Sequence, residues 1–394
     1  MFPKDETAVV GIGSTPYYKR GASLPQTKIE MACKAILAAC EDAGLSVEDV
    51  DGFAYYSGGS DTALIAQTLG IPEVRFTGTL TGGGGGAAGS VGLAAAAITS
   101  GHANVVVSLM TLQQVTGARF GAAFASKGAG PTPARSAPRW TSSRPTACSR
   151  PADVLVAGPA AHAPLRHASR GVRRGRDQHP RERDQPADRA VPRSDHVGRL
   201  YERADDLGSV VPVRLHAGER RRGRGHHHRG RPRAGPAQAA GLCGGAANGS
   251  AGRWGQAITW MGMPDEYFAS SGHRTVARDV YARAGVAAAD IDVALLYDHF
   301  TPMVVMQLED YGFCEIGEGG PFVESGAIRW KTGSIPVNTH GGNLSEAYII
   351  GMTHVKEAVE QLRGEAVNQV EDAELALVTG GPAPTPVSAL ILRK

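Results

Sequence analysis

Two stretches of the chain match in register. AGLSVEDVDGFAYYS at 43–57 aligns with AGVAAADIDVALLYD at 284–298, so that Asp49 pairs with Asp290, Asp51 with Asp292 and Tyr56 with Tyr297. An offset of 241 residues is far longer than the ~20–50-residue unit of a solenoid. It marks one duplicated structural plan. In the first copy, 8–12 reads as a short apolar strand. Ile29, Ala32, Cys33, Ile36, Leu37 and Cys40 fall at three–four spacing and predict a helix over 26–43, stopped by Gly44. VDGFAYYS reads as a strand. A glycine run at 82–86 then leads into AAGSVGLAAAAITSG, a small-residue helix that must pack closely, and NVVVSLM reads as a strand covered on both faces. The second copy repeats the order, with a helix over 345–362 leading into ELALVTGG. Alternating strands and helices in two similar halves imply an α/β protein of two doubly wound layers.

The stretch between the copies breaks the pattern. Residues 128–244 contain no Ile, Met, Phe, Lys or Asn, yet hold 23 Arg against 10 acids, a net of +13. The rest of the chain holds 18 basic and 28 acidic residues, a net of −10. A packed core needs large apolar side chains at regular spacing, and this stretch offers few. Natural disordered segments are seldom Arg-rich while free of Lys and Asn. GC-rich coding sequence read one base out of frame produces this bias. HAPLRH can be encoded so that the neighbouring frame reads MHLYG, and GLCGGAAN so that it reads VYVAAAAN and rejoins the chain at AAN. We therefore read 128–244 as frame-shifted, flanked by an N-terminal half at 1–127 and a C-terminal half at 245–394. His226, His227 and His228 are not taken as a metal site, nor Cys148 and Cys243 as functional thiols. A nucleic-acid role would rest on this basic block alone and is set aside.

The remaining composition is that of an ordinary globular protein. No run of ~18 apolar residues marks a membrane span, and MFPKDETAVVGIGS lacks the charged-then-apolar design of a signal peptide. The expectation is a cytoplasmic protein. Five cysteines without a CxxC pair make no disulfide framework; Cys33 and Cys40 read as helix core.

Three segments carry chemistry: GGGGGAAGSVGL at 82–93, LLYDHFTPM at 295–303 and NTHGGNLSEAYIIGMTH at 338–354. The glycine run fits no GxGxxG or Walker pattern, and close helix packing accounts for it better. The third segment is the most specific. A polar Asn-Thr-His-Gly-Gly turn opens a helix, whose backbone N–H groups can hold an oxyanion.

On these three segments the chain resembles the thiolase superfamily, in particular the sterol-carrier-protein-X and lipid-transfer branch, with its nearest likeness to bacterial steroid side-chain aldolases. The resemblance implies a thiolase fold, with the duplicated halves layered α/β/α/β/α. Thiolases carry a cysteine in a motif like NCATGSTAL. Here GAAGSVGL puts Gly86 at that position. The branch has His-Asp-Cys-Phe where this chain has Tyr297, Asp298, His299 and Phe300. Asn338, Gly341 and Gly342 match the Asn-x-x-Gly-Gly turn, and Tyr348 stands where the histidine of Gly-His-Pro would be. TGGPAPTP lacks the second thiolase cysteine.

Thiolysis needs a thiolate to hold the acyl group. Without one, the resemblance implies retro-aldol cleavage of a β-hydroxyacyl-CoA, on a 17-hydroxy steroid with a three-carbon CoA side chain. The products would be a 17-ketosteroid and propionyl-CoA. Tyr297 and Tyr348 would be the acid–base pair, with His340, His299 and Asp298 as further catalytic candidates. Asn343, Gly342 and Gly86 would line the acyl-CoA site, Gly86 by enlarging it for a bulky ring system. No metal or redox cofactor is implied, and CoA enters as part of the substrate. An unperturbed phenol has a pKa near 10, so the site must favour phenolate or couple proton removal to bond cleavage. Asp298 would oppose phenolate, and a charged His299 would favour it. The resemblance also implies a homodimer, with 111–120 near its seam, and a small OB-fold and zinc-ribbon partner joined to a hydratase.

Each residue has a plainer reading too. Tyr297 and Tyr348 can be core aromatics, His340 a turn cap and Asn343 an N-cap. Two other functions stay open. A non-catalytic acyl-CoA- or lipid-binding subunit would be indifferent to both tyrosines. An acetyl-CoA acyltransferase would require a covalent acyl-enzyme.

Overall fold

Alternation along β2 (Gly52–Tyr56) sets the layering. Every residue of this strand is buried, and successive side chains of a strand point to opposite faces. Phe53 and Tyr55 join a cluster with Ile36 of α1 (Lys28–Asp42) and Ile65 of α2 (Thr62–Leu69). Ala54 and Tyr56 join a different cluster with Ala87, Val91 and Ile98 of α3 (Ala87–Thr99). In the second half, Val293 and Leu295 of β9 (Val293–Leu295) enter that same central cluster, with Val355 and Leu362 of α8 (Met352–Arg363). Ala294 and Leu296 face the other way, towards Val280 of α4 (Arg274–Ala284) and Leu308 of α5 (Thr301–Asp310). The result is five layers, with α3 and α8 between the strands of the two halves.

The computed structural model describes residues 4–18, 21–56, 61–81, 83–113, 209–210, 213–217, 241–250, 270–346, 348–381 and 386–394. The remaining strands are β1 (Thr7–Ile12), β3 (Phe76–Leu80), β4 (Val105–Leu109), β5 (Thr111–Leu112), β6 (Ser209–Val210), β7 (Val213–Ala217), β8 (Leu242–Gly249), β10 (Leu375–Gly380) and β11 (Val387–Arg393); the short helices are α6 (Gly319–Glu324) and α7 (Gly342–Ser345). Among the described residues nine strands form one ladder in the order β3-β2-β4-β7-β1-β8-β11-β10-β9. β3, β2 and β4 run parallel, as do β10 and β9. The halves meet at β1 and β8 through the single pair Ala8 and Leu242. Inside the central layer, α3 has to be made of small residues. A side chain at Gly89 would crowd Leu80 Cδ1 at 2.9 Å, and one at Gly92 would crowd Ala246 Cβ at 2.8 Å.

The duplication is visible in what equivalent residues do. Asp51 accepts the N–H of Asn104 and Val105, both at 2.8 Å, at the start of β4. Asp292 accepts the N–H of Glu374 at 2.9 Å and Leu375 at 2.8 Å, at the start of β10. Asp49 and Asp290 each cap a single turn, from Ser46 N at 2.9 Å and Ala287 N at 2.8 Å.

The structure bears on two expectations. Most of 128–244, with Cys148, His226, His227 and His228, lies outside the described residues, as do 114–120 of the expected dimer seam. Yet 213–217 supplies β7, paired to β4 on one side and β1 on the other. A ladder position asks only for backbone N–H and C=O groups, which any non-proline stretch offers. β8 also runs across the boundary at 244, and Cys243 within it is core: burial pushes its thiol up to about 12. Secondly, the helix over 345–362 is broken. α7 ends at Ser345 and α8 starts at Met352. Ile350 at φ +56° and Gly351 at φ +88° turn the chain left-handed between them. Tyr348 lies in this break and not on a helix.

Candidate active site

Tyr297 follows β9 and is held by its backbone. Its N–H donates to Thr379 Oγ1 at 2.8 Å, and its carbonyl accepts Gln307 Nε2 at 2.9 Å. Thr379 Oγ1 closes the loop by donating to Gln307 Oε1 at 2.6 Å. One residue earlier, Leu296 is gripped at N–H and C=O by the Asn338 amide, at 2.7 and 2.9 Å. The ring of Tyr297 is 1% exposed. Its hydroxyl lies 3.1 Å from that of Tyr348, delivered by the broken segment. Gly351 permits this approach, because a Cβ there would meet Tyr297 Cε2 at 2.8 Å.

Both phenols are held protonated. Burial, the proximity of Tyr348 and its hydrogen bond push Tyr297 well above its usual range, and Tyr56 and Asp298 add to the effect. Burial also raises Tyr348; there the bond from Tyr297 works in the opposite direction, and Asp298 raises it further. The opposition expected from Asp298 is present. The help expected from His299 is not, because burial lowers its imidazole to about 4 and leaves it neutral near pH 7. Its ring lies 5.3 Å from that of Tyr297, and both nitrogens are buried with no hydrogen-bond partner among the described residues.

The glycine run is tighter than the sequence suggested. A side chain at Gly86 would strike Cβ and Cγ of Tyr56, one at Gly85 the Pro386 carbonyl, and one at Gly84 the ring of Tyr297. The missing side chain at Gly86 therefore does not enlarge a pocket, since Tyr56 fills the space. No thiol fits at 84, 85 or 86 unless an aromatic ring or the Pro386 backbone moves.

The expected oxyanion turn is occupied from within. Asp298 accepts Asn343 N–H and Nδ2 through Oδ1, each at 2.9 Å, and Leu344 N–H through Oδ2 at 3.3 Å. Burial alone would raise this carboxyl, but the hydrogen bond and charge of His354 and the bonds from Asn343 and Leu344 outweigh it, so it is lowered. Asn343 Oδ1 accepts Gly351 N–H at 3.2 Å, which uses both ends of the amide. Gly342 sits at φ +65°, and a Cβ there would collide with Asp298. Asp298, Asn343 and Gly342 thus build the turn.

His340 joins the same network. The Asp298 carboxylate lies 3.3 Å from His354 Nε2, which Asn343 Nδ2 also approaches at 3.2 Å. His354 Nδ1 lies 2.9 Å from His340 Nε2, within hydrogen-bond distance. His340 Nδ1 is buried with no hydrogen-bond partner among the described residues. Burial and His354 hold its pKa well below the usual histidine value.

The thiolase C-terminal domain-like family matches residues 251–392. The steroid side-chain-cleaving aldolase of Thermomonospora curvata is 32% identical over 403 residues, covering 98% of this chain and 97% of that one. The chain belongs to the thiolase-like family of steroid side-chain-cleaving aldolases. A second family member, the 17-hydroxy-3-oxo-4-pregnene-20-carboxyl-CoA lyase of Mycobacterium tuberculosis, is 32% identical over 98% of this chain and 99% of its own. A solved structure titled Ltp2-ChsH2(DUF35) aldolase superposes with a TM-score of 0.71 at 27% identity, covering 100% of this chain and 99% of that one.

Sequence reasoning did not single out several residues that shape this family member's site. Thr379 and Gln307 fix Tyr297, and His354 links Asp298 to His340. Neither role has a local signal, because the partners lie 10 to 82 positions apart in the chain. Tyr56 did have one: it is the duplicate of Tyr297. Among the described residues no helix is long and apolar enough to cross a membrane.

Proposed function

We propose that the chain catalyses retro-aldol cleavage of a β-hydroxyacyl-CoA, with a 17-hydroxy steroid bearing a three-carbon CoA side chain as substrate. The products are a 17-ketosteroid and propionyl-CoA. The observation that carries this reading is the 3.1 Å contact of two protonated phenols, Tyr297 and Tyr348, beside a glycine run that leaves no room for a nucleophile. The named activities of the two full-length relatives support the substrate class.

Both phenols stay neutral throughout. Tyr297 oxygen accepts the β-hydroxyl proton as the bond between the α and β carbons breaks. Tyr297 passes its own proton to Tyr348, and Tyr348 protonates the α-carbon. The β-carbon becomes a ketone, and the electrons of the broken bond form the enolate and then the new C–H bond. No net proton or electron is exchanged. Coupling the transfers removes the need for a free phenolate, and such acid–base catalysis contributes ~10²–10⁴-fold. His299, neutral and unpartnered beside Tyr297, donates to the thioester oxygen, where a neutral imidazole is a competent electrophile. Asp298 and Asn343 hold the turn that presents Tyr348.

We further propose that the chain pairs with a small DUF35 protein, by analogy with the Ltp2-ChsH2(DUF35) aldolase, that this partner has an OB fold with a zinc ribbon, and that the chain forms a homodimer. The test is turnover of the steroid β-hydroxyacyl-CoA by the purified complex. Ketone and propionyl-CoA should form one to one, and Tyr297→Phe and Tyr348→Phe should each lower kcat by about 100-fold or more. Tight binding of the thioester without cleavage, unchanged in both variants, would identify a binding subunit and sink the proposal.

A further inference from the structure

We infer that Tyr56 is a positioning residue for Tyr348, acting through the backbone turn at 349–351. This rests on the reading of Tyr348 as a proton-transfer group. Tyr56 ends β2 as Tyr297 follows β9, so the duplication brings one tyrosine from each half onto the same segment. Their tasks differ. Tyr297 meets the side chain of Tyr348, whereas Tyr56 meets the backbone that carries it. The Tyr56 hydroxyl donates to Ile350 O at 3.0 Å and lies 3.4 Å from Ile349 O. Burial keeps its phenol protonated and able to donate.

The turn needs this support. Ile350 is β-branched and sits at φ +56°, a left-handed conformation that strains such a residue and persists only where its surroundings impose it. The next residue, Gly351, is pressed against the Tyr297 ring. Loss of the Tyr56 bond frees Ile350 to relax towards negative φ and moves Tyr348, two residues earlier, away from Tyr297. Tyr56 is itself fixed, because its Cβ and Cγ fill the space that a side chain at Gly86 would need. The glycine at 86 therefore serves the position of Tyr56.

A double-mutant cycle tests this in the complete complex. Tyr56→Phe keeps the ring and should retain the fold, as checked by circular dichroism. It should lower kcat ~10–100-fold with KM changed less than about threefold, the range of a disturbed acid–base group. In a Tyr348→Phe background, Tyr56→Phe should cause no further loss. A kcat within twofold of the parent, or full multiplicative losses in the double variant, would overturn the inference. Site-specific 3-fluorotyrosine at 56 keeps the hydroxyl and should keep kcat, a test that holds even if the Phe variant does not fold; a loss there would also overturn it. If Tyr348→Phe itself leaves kcat unchanged, the functional reading fails. If only Tyr56→Phe is silent, this inference fails alone.

Discussion

Asp298 Oδ1 accepts the backbone N–H of Asn343 at 2.9 Å, so a carboxylate of the chain itself fills the start of α7. Asp298→Asn would turn an amide towards donors and should cost about 3 kcal/mol, as for other buried charged hydrogen bonds that lose their partner. Urea unfolding measures it. Because the folded carboxyl is lowered, its stabilisation is complete above the unfolded value near pH 4 and disappears as pH falls through the folded value. The wild-type and Asn proteins should therefore converge in stability in acid.

The two neutral histidines predict a loss in the same direction at higher pH. His299 and His340 have folded pKa values below the unfolded ~6.5. The unfolded chain binds their protons first, so stability should fall as pH drops from about 7 to 5, and for His299 the loss should level off below about 4. His299→Phe should flatten part of this slope. An unchanged slope would mean the ring is charged in the folded state.

The pH dependence of turnover separates a neutral phenol pair from a phenolate base. With both phenols raised, kcat should stay level from about pH 7 to 9. A tenfold rise per unit across that range would instead require a base formed by ionisation.

Restoring a thiol should not restore thiolase chemistry. Gly86→Cys puts its Cβ into Tyr56, and overpacking of this kind costs ~1–3 kcal/mol. Intact-protein mass spectrometry should find no acyl-enzyme. Gly84→Ala should be the more damaging change for turnover, because it displaces Tyr297 directly.

Sequencing the coding DNA across codons 120–250 should reveal one base-level shift entering near codon 128 and another leaving near 244. An unbroken frame that encodes all 23 Arg of the segment would refute that reading.

The sequence by itself determined the duplication, the α/β class and the identity of the two phenols. Each of these is written in a local pattern: strand alternation, helical spacing or a motif of consecutive residues. Asp49, Asp51 and Tyr56 could be matched to Asp290, Asp292 and Tyr297 without any coordinates, and the first two pairs perform matched tasks. Only the tertiary structure decided what the polar residues around the phenols do. Asp298, Asn343 and His340 stand as separate candidates in the linear motif, whereas the fold bonds Asn343 to Asp298 and sets His340 against His354 once 298 and 340–354 meet. Local periodicity also ran a helix through Tyr348. The break there comes from Ile350, held left-handed by a tyrosine 294 residues away. Such a contact sets the conformation of a segment whose own propensity favours another, and no local pattern encodes it.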